Sequence, residues 1–342
     1  MPITLVRKQR QDSDSPLVQA AVKLEGRTAK TFVDSINQIR SEITPEMIQE
    51  ALSKPDPNAA LISLNVDEKF HSVLNTHFKE MIHELFLLGA DTAKDELNSK
   101  IELSKSDYWI TKAVTVTASF DLTNQNSIAA LQAYTFNLIT GLTAESKEAI
   151  RQVIVRAFQE GGSPAEQARM IRDVIGLTPT QEKAIANYRS ALEGGSTSEL
   201  QDALSRSLRD GRYDPSLLSA MQSGVSLSQD KIDAMVGRYS QRFLAYRATA
   251  IARTETIRAS MVGQDALWQQ AVENGHLPDN VLRRWVTSLD NRACPVCRDL
   301  DGETAELGEE FLPDIERPPA HPSCRCSLVI ELPDGNEAED AA

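Results

Sequence analysis

All four cysteines of this chain fall within 33 residues, as Cys294-Pro-Val-Cys297 and then His321-Pro-Ser-Cys324-Arg-Cys326, and the 293 residues before them contain none. Such clustering means that one small module uses its thiols together. A Cys-x2-Cys unit folds as a turn that aims both sulfurs at one centre. A Cys-x-Cys unit on an extended segment places both side chains on one face, because the strand period is two. Two such knuckles facing each other make a tetrahedral zinc site. Any fold of this chain must therefore bring residues 294–297 and 321–326 together.

Five donors compete for four places. Cys294 and Cys297 belong to any metal set, and strand parity favours Cys324 and Cys326 beside them. Pro322 interrupts the extended geometry, so His321 can replace one thiol. Without a metal, the alternatives are two disulfides or reduced core thiols. Catalysis by the metal is not expected, and no catalytic residue is assigned. The nucleobase deaminases place His-x-Glu before Pro-Cys-x-x-Cys. Here the Cys pair comes first, and Ser323 stands where the glutamate would be. His-Glu-x-x-His is absent, and the flanks of Cys294 and Cys297 lack the βαβ context of a thioredoxin-like pair. The sequence shows neither an apolar leader segment nor a run of about 18 apolar residues, so neither a signal peptide nor a membrane span is expected. In a reducing interior, clustered cysteines point to a structural zinc rather than to disulfides.

Aromatic residues make up 5% and charged residues 25% of the chain, the profile of a soluble, helix-rich protein. The net charge of −13 argues against a general nucleic-acid coat and leaves room for a local basic stripe. Helical periodicity begins near Thr28, and Pro55–Asn58 reads as a loop. Phe70, Leu74, Met81, Leu85 and Leu88 trace an amphipathic helix over about 67–97. The β-branched stretch Trp109–Leu122 reads as a strand or an extended connector. Ser163-Pro164-Ala165-Glu166 and Thr178-Pro179-Thr180-Gln181 are capping boxes with proline at the first helical position. They predict a helix pair over 164–175 and 179–192. Gly194–Ser198 reads as a flexible joint. A stripe from Ile232 to Met261 predicts a helix of some thirty residues. Arg284–Ser288 and Cys326–Ile330 read as strands, with Asp301-Gly302 as a hairpin turn.

Several motifs carry a resemblance. They are Gly176-Leu177-Thr178-Pro179-Thr180-Gln181 with Ala186-Asn187-Tyr188-Arg189, then Ile251-Ala252-Arg253-Thr254-Glu255-Thr256, then Trp285. After these come Asp290-Asn291-Arg292-Ala293-Cys294-Pro295-Val296-Cys297, Leu300-Asp301-Gly302 and Pro318-Pro319-Ala320-His321-Pro322-Ser323-Cys324-Arg325-Cys326. In order and spacing the chain resembles the Mu F-like family of phage minor head, or head morphogenesis, proteins over roughly residues 145–332. The resemblance implies a low-copy virion protein of the head. It would join the portal during procapsid assembly in the host cytoplasm, with the portal protein and capsid or scaffolding proteins as partners. It also implies a role in DNA packaging or delivery, and no enzymatic activity. Among the motif residues, Thr254 falls inside the apolar stripe and is expected to bond back to a carbonyl. Arg253 is expected to anchor the C-terminal module by an ion pair, or with Arg325 to form a small anion site. Glu255 is expected to turn away from the stripe.

The expected fold class is a mainly α body with a small α+β zinc-stapled C-terminal module. Its organisation is a flexible arm over 1–25, a helical domain over 26–140, a helical midsection over 141–262, the Cys/His zinc module with short antiparallel strands over 263–332, and an acidic tail over 333–342. The competing reading is a zinc knuckle gripping phage DNA. From Arg283 to Glu331, however, six basic residues face ten acidic ones. An acidic module is poorly suited to binding that rests on phosphate neutralisation.

Overall fold

The computed structural model describes residues 15–104, 124–160, 163–288 and 293–332. It is mostly helical, with one three-stranded antiparallel sheet. The helices are α1 (Pro16–Glu42), α2 (Pro45–Leu52), α3 (Pro57–Ser63), α4 (Val66–Ser104), α5 (Gln125–Glu160), α6 (Pro164–Val174), α7 (Pro179–Gly194), α8 (Thr197–Ser205), α9 (Asp214–Ser223), α10 (Gln229–Glu273) and α11 (Pro295–Leu300). The strands are β1 (Leu282–Val286), β2 (Thr304–Glu306) and β3 (Ser327–Glu331), in the order β2-β1-β3. Two compact units interleave along the chain. Among the described residues, the first takes those up to Thr28, those of Glu80–Tyr134 and those from Ala250 onward. The second takes Ala29–Lys79 and Thr135–Thr249.

In the second unit, helix starts follow their capping chemistry. Thr178 and Gln181 close a reciprocal capping box at α7, and the Ser163 hydroxyl accepts the Glu166 N–H at α6. Between these helices Gly176 has φ +83°, and a Cβ there would meet Ile36 at 2.4 Å. Its N–H donates to Ser146 Oγ at 2.8 Å, and its carbonyl accepts from buried Arg247 at 2.8 Å. Tyr188 is buried and packs on Tyr239 with ring centroids 4.4 Å apart, while Arg189 donates to Asp233 at 2.9 Å. The first motif stretch is thus core and turn in this unit.

In the first unit, α4 and α10 touch backbone to backbone. A Cβ on Gly89 would lie 1.7 Å from the Ser260 carbonyl oxygen, and one on Gly263 would lie 1.9 Å from that of Phe86. Around this crossing Leu17, Val18, Ala90, Leu97, Met261, Trp268, Trp285, Leu328 and Ile330 form one core with Cys297, Cys324 and Cys326. The outer edge of β3 is covered rather than bare. Glu96 accepts the Ile330 N–H at 3.1 Å, Lys100 donates to the Ile330 carbonyl, and Gln264 donates to the Leu328 carbonyl at 3.3 Å.

Five expectations are corrected. The loose arm over 1–25 gives way from Pro16 to α1, whose Leu17, Val18 and Ala21 are buried because they continue the helical stripe. The loop at 55–58 ends sooner than expected: Pro55 and Asp56 lie in the bend before α3, and Pro57 and Asn58 are its first turn, with Asp56 accepting from Asn58 and Ala59. The joint at 194–198 is a tight connection. Gly195 adopts φ +67°, and Ser196 with Glu199 closes a capping box for α8. The stripe helix extends to Glu273. Asp301-Gly302 does turn the chain, but it connects α11 to β2 rather than strand to strand. The Trp109–Leu122 stretch and the acidic tail lie outside the described residues.

Candidate metal centre

Cys294 is the N-cap of α11, and Pro295 fills the first helical position, where no N–H is needed. The Cys294 sulfur accepts the Cys297 N–H at 3.3 Å, so the Cys-x2-Cys knuckle is a helix cap built with a thiol. The second knuckle repeats this: the Cys326 N–H points at the Cys324 sulfur at 3.5 Å. His321 joins them. Its Nε2 lies 3.4 Å from the Cys294 sulfur and 3.2 Å from that of Cys297, and the Cys297 and Cys324 sulfurs are 3.8 Å apart. Donor atoms of Cys294, Cys297 and His321 form one close group, and those of Cys297, Cys324 and Cys326 another, with Cys297 common to both. Bonds of about 2.3 Å to sulfur and about 2.0–2.1 Å to nitrogen give tetrahedral edges of about 3.5–3.8 Å. The sulfur–sulfur spacing matches that range, and the sulfur–nitrogen spacings fall slightly inside it.

Hydrogen bonding sets the donors' states. His321 Nδ1 lies 2.9 Å from the Pro322 carbonyl, which can only accept, so Nδ1 carries the proton and Nε2 presents its lone pair to the sulfurs. The Thr287 hydroxyl donates to the Cys297 carbonyl at 2.7 Å and meets the Cys326 sulfur at 3.3 Å. The contact with Cys324, together with burial, pushes the Cys326 thiol up, and the same contact pushes Cys324 down to about 5. Burial and the neighbouring Cys324 raise Cys297 to about 12. A soft donor set with one thiolate already favoured and an imidazole lone pair aimed inward can hold a metal ion.

The motif residues support this cluster from behind. Thr254 is buried and donates to the Ala250 carbonyl at 2.8 Å, as expected. Its oxygen also accepts the Ser323 N–H at 3.0 Å, and Ser323 sits at φ +61° just before Cys324. The Arg-Thr-Glu helix therefore fixes the turn that presents the second knuckle. Trp285 is fully buried and meets Phe311 edge-on at 5.2 Å. Two expectations fail here. Arg253 faces Glu25 of α1 at 3.4 Å rather than the C-terminal module. Glu255 is buried, accepts from Tyr134 and pairs with Arg258 at 3.0 Å, and burial raises its carboxyl above the ordinary range. Arg325 is half-buried beside the cysteines, and Asp290 lies outside the described residues.

Sequence reasoning missed Thr287, Arg283 and Asp265. Arg283 is fully buried on β1 and donates to the carbonyls of Glu306 (2.8 Å) and Glu316 (3.2 Å), and also to that of Glu309. It reaches Asp265 at 3.2 Å, and Arg317 reaches the same carboxylate oxygen at 3.1 Å. This clamp holds the loop between β2 and the second knuckle. Its signal was available: Arg283 shares strand parity with Trp285, so it must face the core. No helix among the described residues is long and apolar enough to cross a membrane.

Residues 148–329 match the family described as phage Mu protein F like protein. No curated protein and no solved structure matches the chain.

Proposed function

We propose, from the premise that this chain belongs to the phage Mu protein F like family, that it is a minor head protein acting in head morphogenesis. In this reading it is a low-copy virion component that docks on the portal within the procapsid, contacts capsid or scaffolding proteins, and assists DNA packaging or delivery. The observation that carries the reading is the family match, which spans the second unit's motif stretch, the Arg-Thr-Glu helix and both knuckles. In this reading the metal would be zinc, with Cys294, Cys297, Cys324 and His321 as the residues that would hold it and Cys326 left beside Thr287. Zinc here supplies cross-linking of α11 to the loop before β3. Four such donors would leave no open position for a Lewis-acid step, and in this reading the protein acts as an assembly component rather than an enzyme. Co-expression of the full chain with the portal and head proteins of its phage tests this. The expected result is co-purification with the portal oligomer at few copies per particle. A chain recovered free of portal and capsid components would overturn it.

A further inference from the structure

Five donors crowd a centre that needs four, and the structure divides them into two overlapping groups. The Cys294 sulfur, the Cys297 sulfur and a His321 nitrogen lie within 4.8 Å of one another, and so do the sulfurs of Cys297, Cys324 and Cys326. Cys297 belongs to both groups and acts as a pivot, because each group lacks one donor and can take it from the other. The first group is completed by Cys324, whose sulfur is 3.8 Å from that of Cys297. The second is completed by Cys294, whose sulfur is within 4.8 Å of that of Cys297. Cys294, Cys297 and Cys324 are common to both sets, and only His321 and Cys326 differ.

These two residues differ in surroundings as well. His321 is half-buried, whereas Cys326 is 2% exposed and belongs to the core that contains Trp285 and Leu328. Thr287 keeps Cys326 close to the pivot: its hydroxyl meets the Cys326 sulfur at 3.3 Å and donates to the Cys297 carbonyl at 2.7 Å. A tetrahedral sulfur–sulfur edge is about 3.8 Å, so closing a 4.8 Å spacing onto it takes a movement of about 1 Å. The turn that carries His321 does not depend on the imidazole. Thr254 accepts the Ser323 N–H at 3.0 Å, and the Cys324 N–H donates to the His321 carbonyl at 3.1 Å.

We propose that Cys326 is a reserve ligand, and that the cluster exchanges His321 for Cys326 without giving up its metal ion. The exchange trades a half-buried nitrogen donor for a buried sulfur donor. The staple between α11 and the residues before β3 stays closed in both states, and in the second the His321 imidazole is released from the cluster. Metal preference follows from the same exchange, because a set of four sulfurs favours a softer ion than a set of three sulfurs and one nitrogen. The inference rests on the ligand set proposed above and is independent of portal docking.

The test uses the reduced full chain with cobalt(II) as the probe, since the intensity of its sulfur charge-transfer bands reports the number of thiolate ligands. C326S should bind one ion per chain with the spectrum of the parent. H321A should also bind one ion per chain, with charge-transfer intensity greater by about a third, the ratio of four thiolates to three. H321A/C326S, left with three donors, should bind at least about a hundredfold more weakly than either single variant. Far-ultraviolet circular dichroism, dominated by the long helices, checks that every variant is folded. If H321A binds no more tightly than the double variant, or binds with the intensity of the parent, the inference is overturned while the ligand set stands. If C326S loses the ion or falls in intensity, Cys326 is a primary ligand, and the ligand set is overturned together with the inference.

Discussion

At the scale of single residues, the side chains that matter most are those joining distant stretches of sequence. Thr254 bonds the Ala250 carbonyl and the Ser323 N–H at once. Thr254→Val keeps the shape and removes both bonds. With the half-buried Ser323 N–H left unsatisfied, the protein should lose about 1 kcal/mol, read as a lowered denaturant midpoint, and its four thiols should react faster with a maleimide probe. Unchanged thiol reactivity would show that Thr254 does not position the second knuckle. Its burial and back-bond were legible in the sequence because it interrupts an apolar stripe. Its second bond was not, since the acceptor site for Ser323 exists only after the loop has folded onto α10. The partners of Arg253 and Glu255 were misjudged for a related reason. Helical phase gives a direction, but Glu25 and Tyr134 come from α1 and α5, and no local pattern announces them.

At the scale of elements, most helices begin where cap chemistry says they should. Thr178 and Ser163 were legible because a hydroxyl, a proline and an acceptor three residues on leave little else for the backbone to do. Ser196 with Glu199 carries the same signal without the proline, and the preceding glycines read as looseness although Gly195 is a left-handed cap. The contact between α4 and α10 was not legible, because a glycine in a helix is ambiguous until its neighbour is known. Gly89→Ala and Gly263→Ala each put a methyl group into a facing backbone carbonyl. Each should cost at least about 1–3 kcal/mol through forced separation of the helices. Gly141→Ala, on α5 where nothing lies within 4 Å of a Cβ, should be neutral or slightly stabilising. Equal melting temperatures for all three variants would refute close contact at this crossing.

At the scale of the whole molecule, the family match and the cysteine knuckles describe the same region, and the structure adds why they travel together. The motif stretches outside the thiols supply the turn at Gly176, the buried Tyr188, the Thr254 acceptor and the Trp285 anchor. The sheet of the first unit has three short strands, and it depends on Arg283, the covered edge of β3 and the thiol cluster. A metal bound by the thiol cluster would staple residues 293–332, because structural zinc contributes on the order of 10 kcal/mol to small modules. The most direct measurement is elemental analysis of the reduced, purified chain, with hydrogen exchange followed before and after chelation. One zinc per chain is predicted, absent in C294S/C297S and retained in C326S, with chelation speeding exchange in residues 293–332. A folded chain that holds no metal, shows four free thiols and exchanges identically with and without chelator would contradict the account.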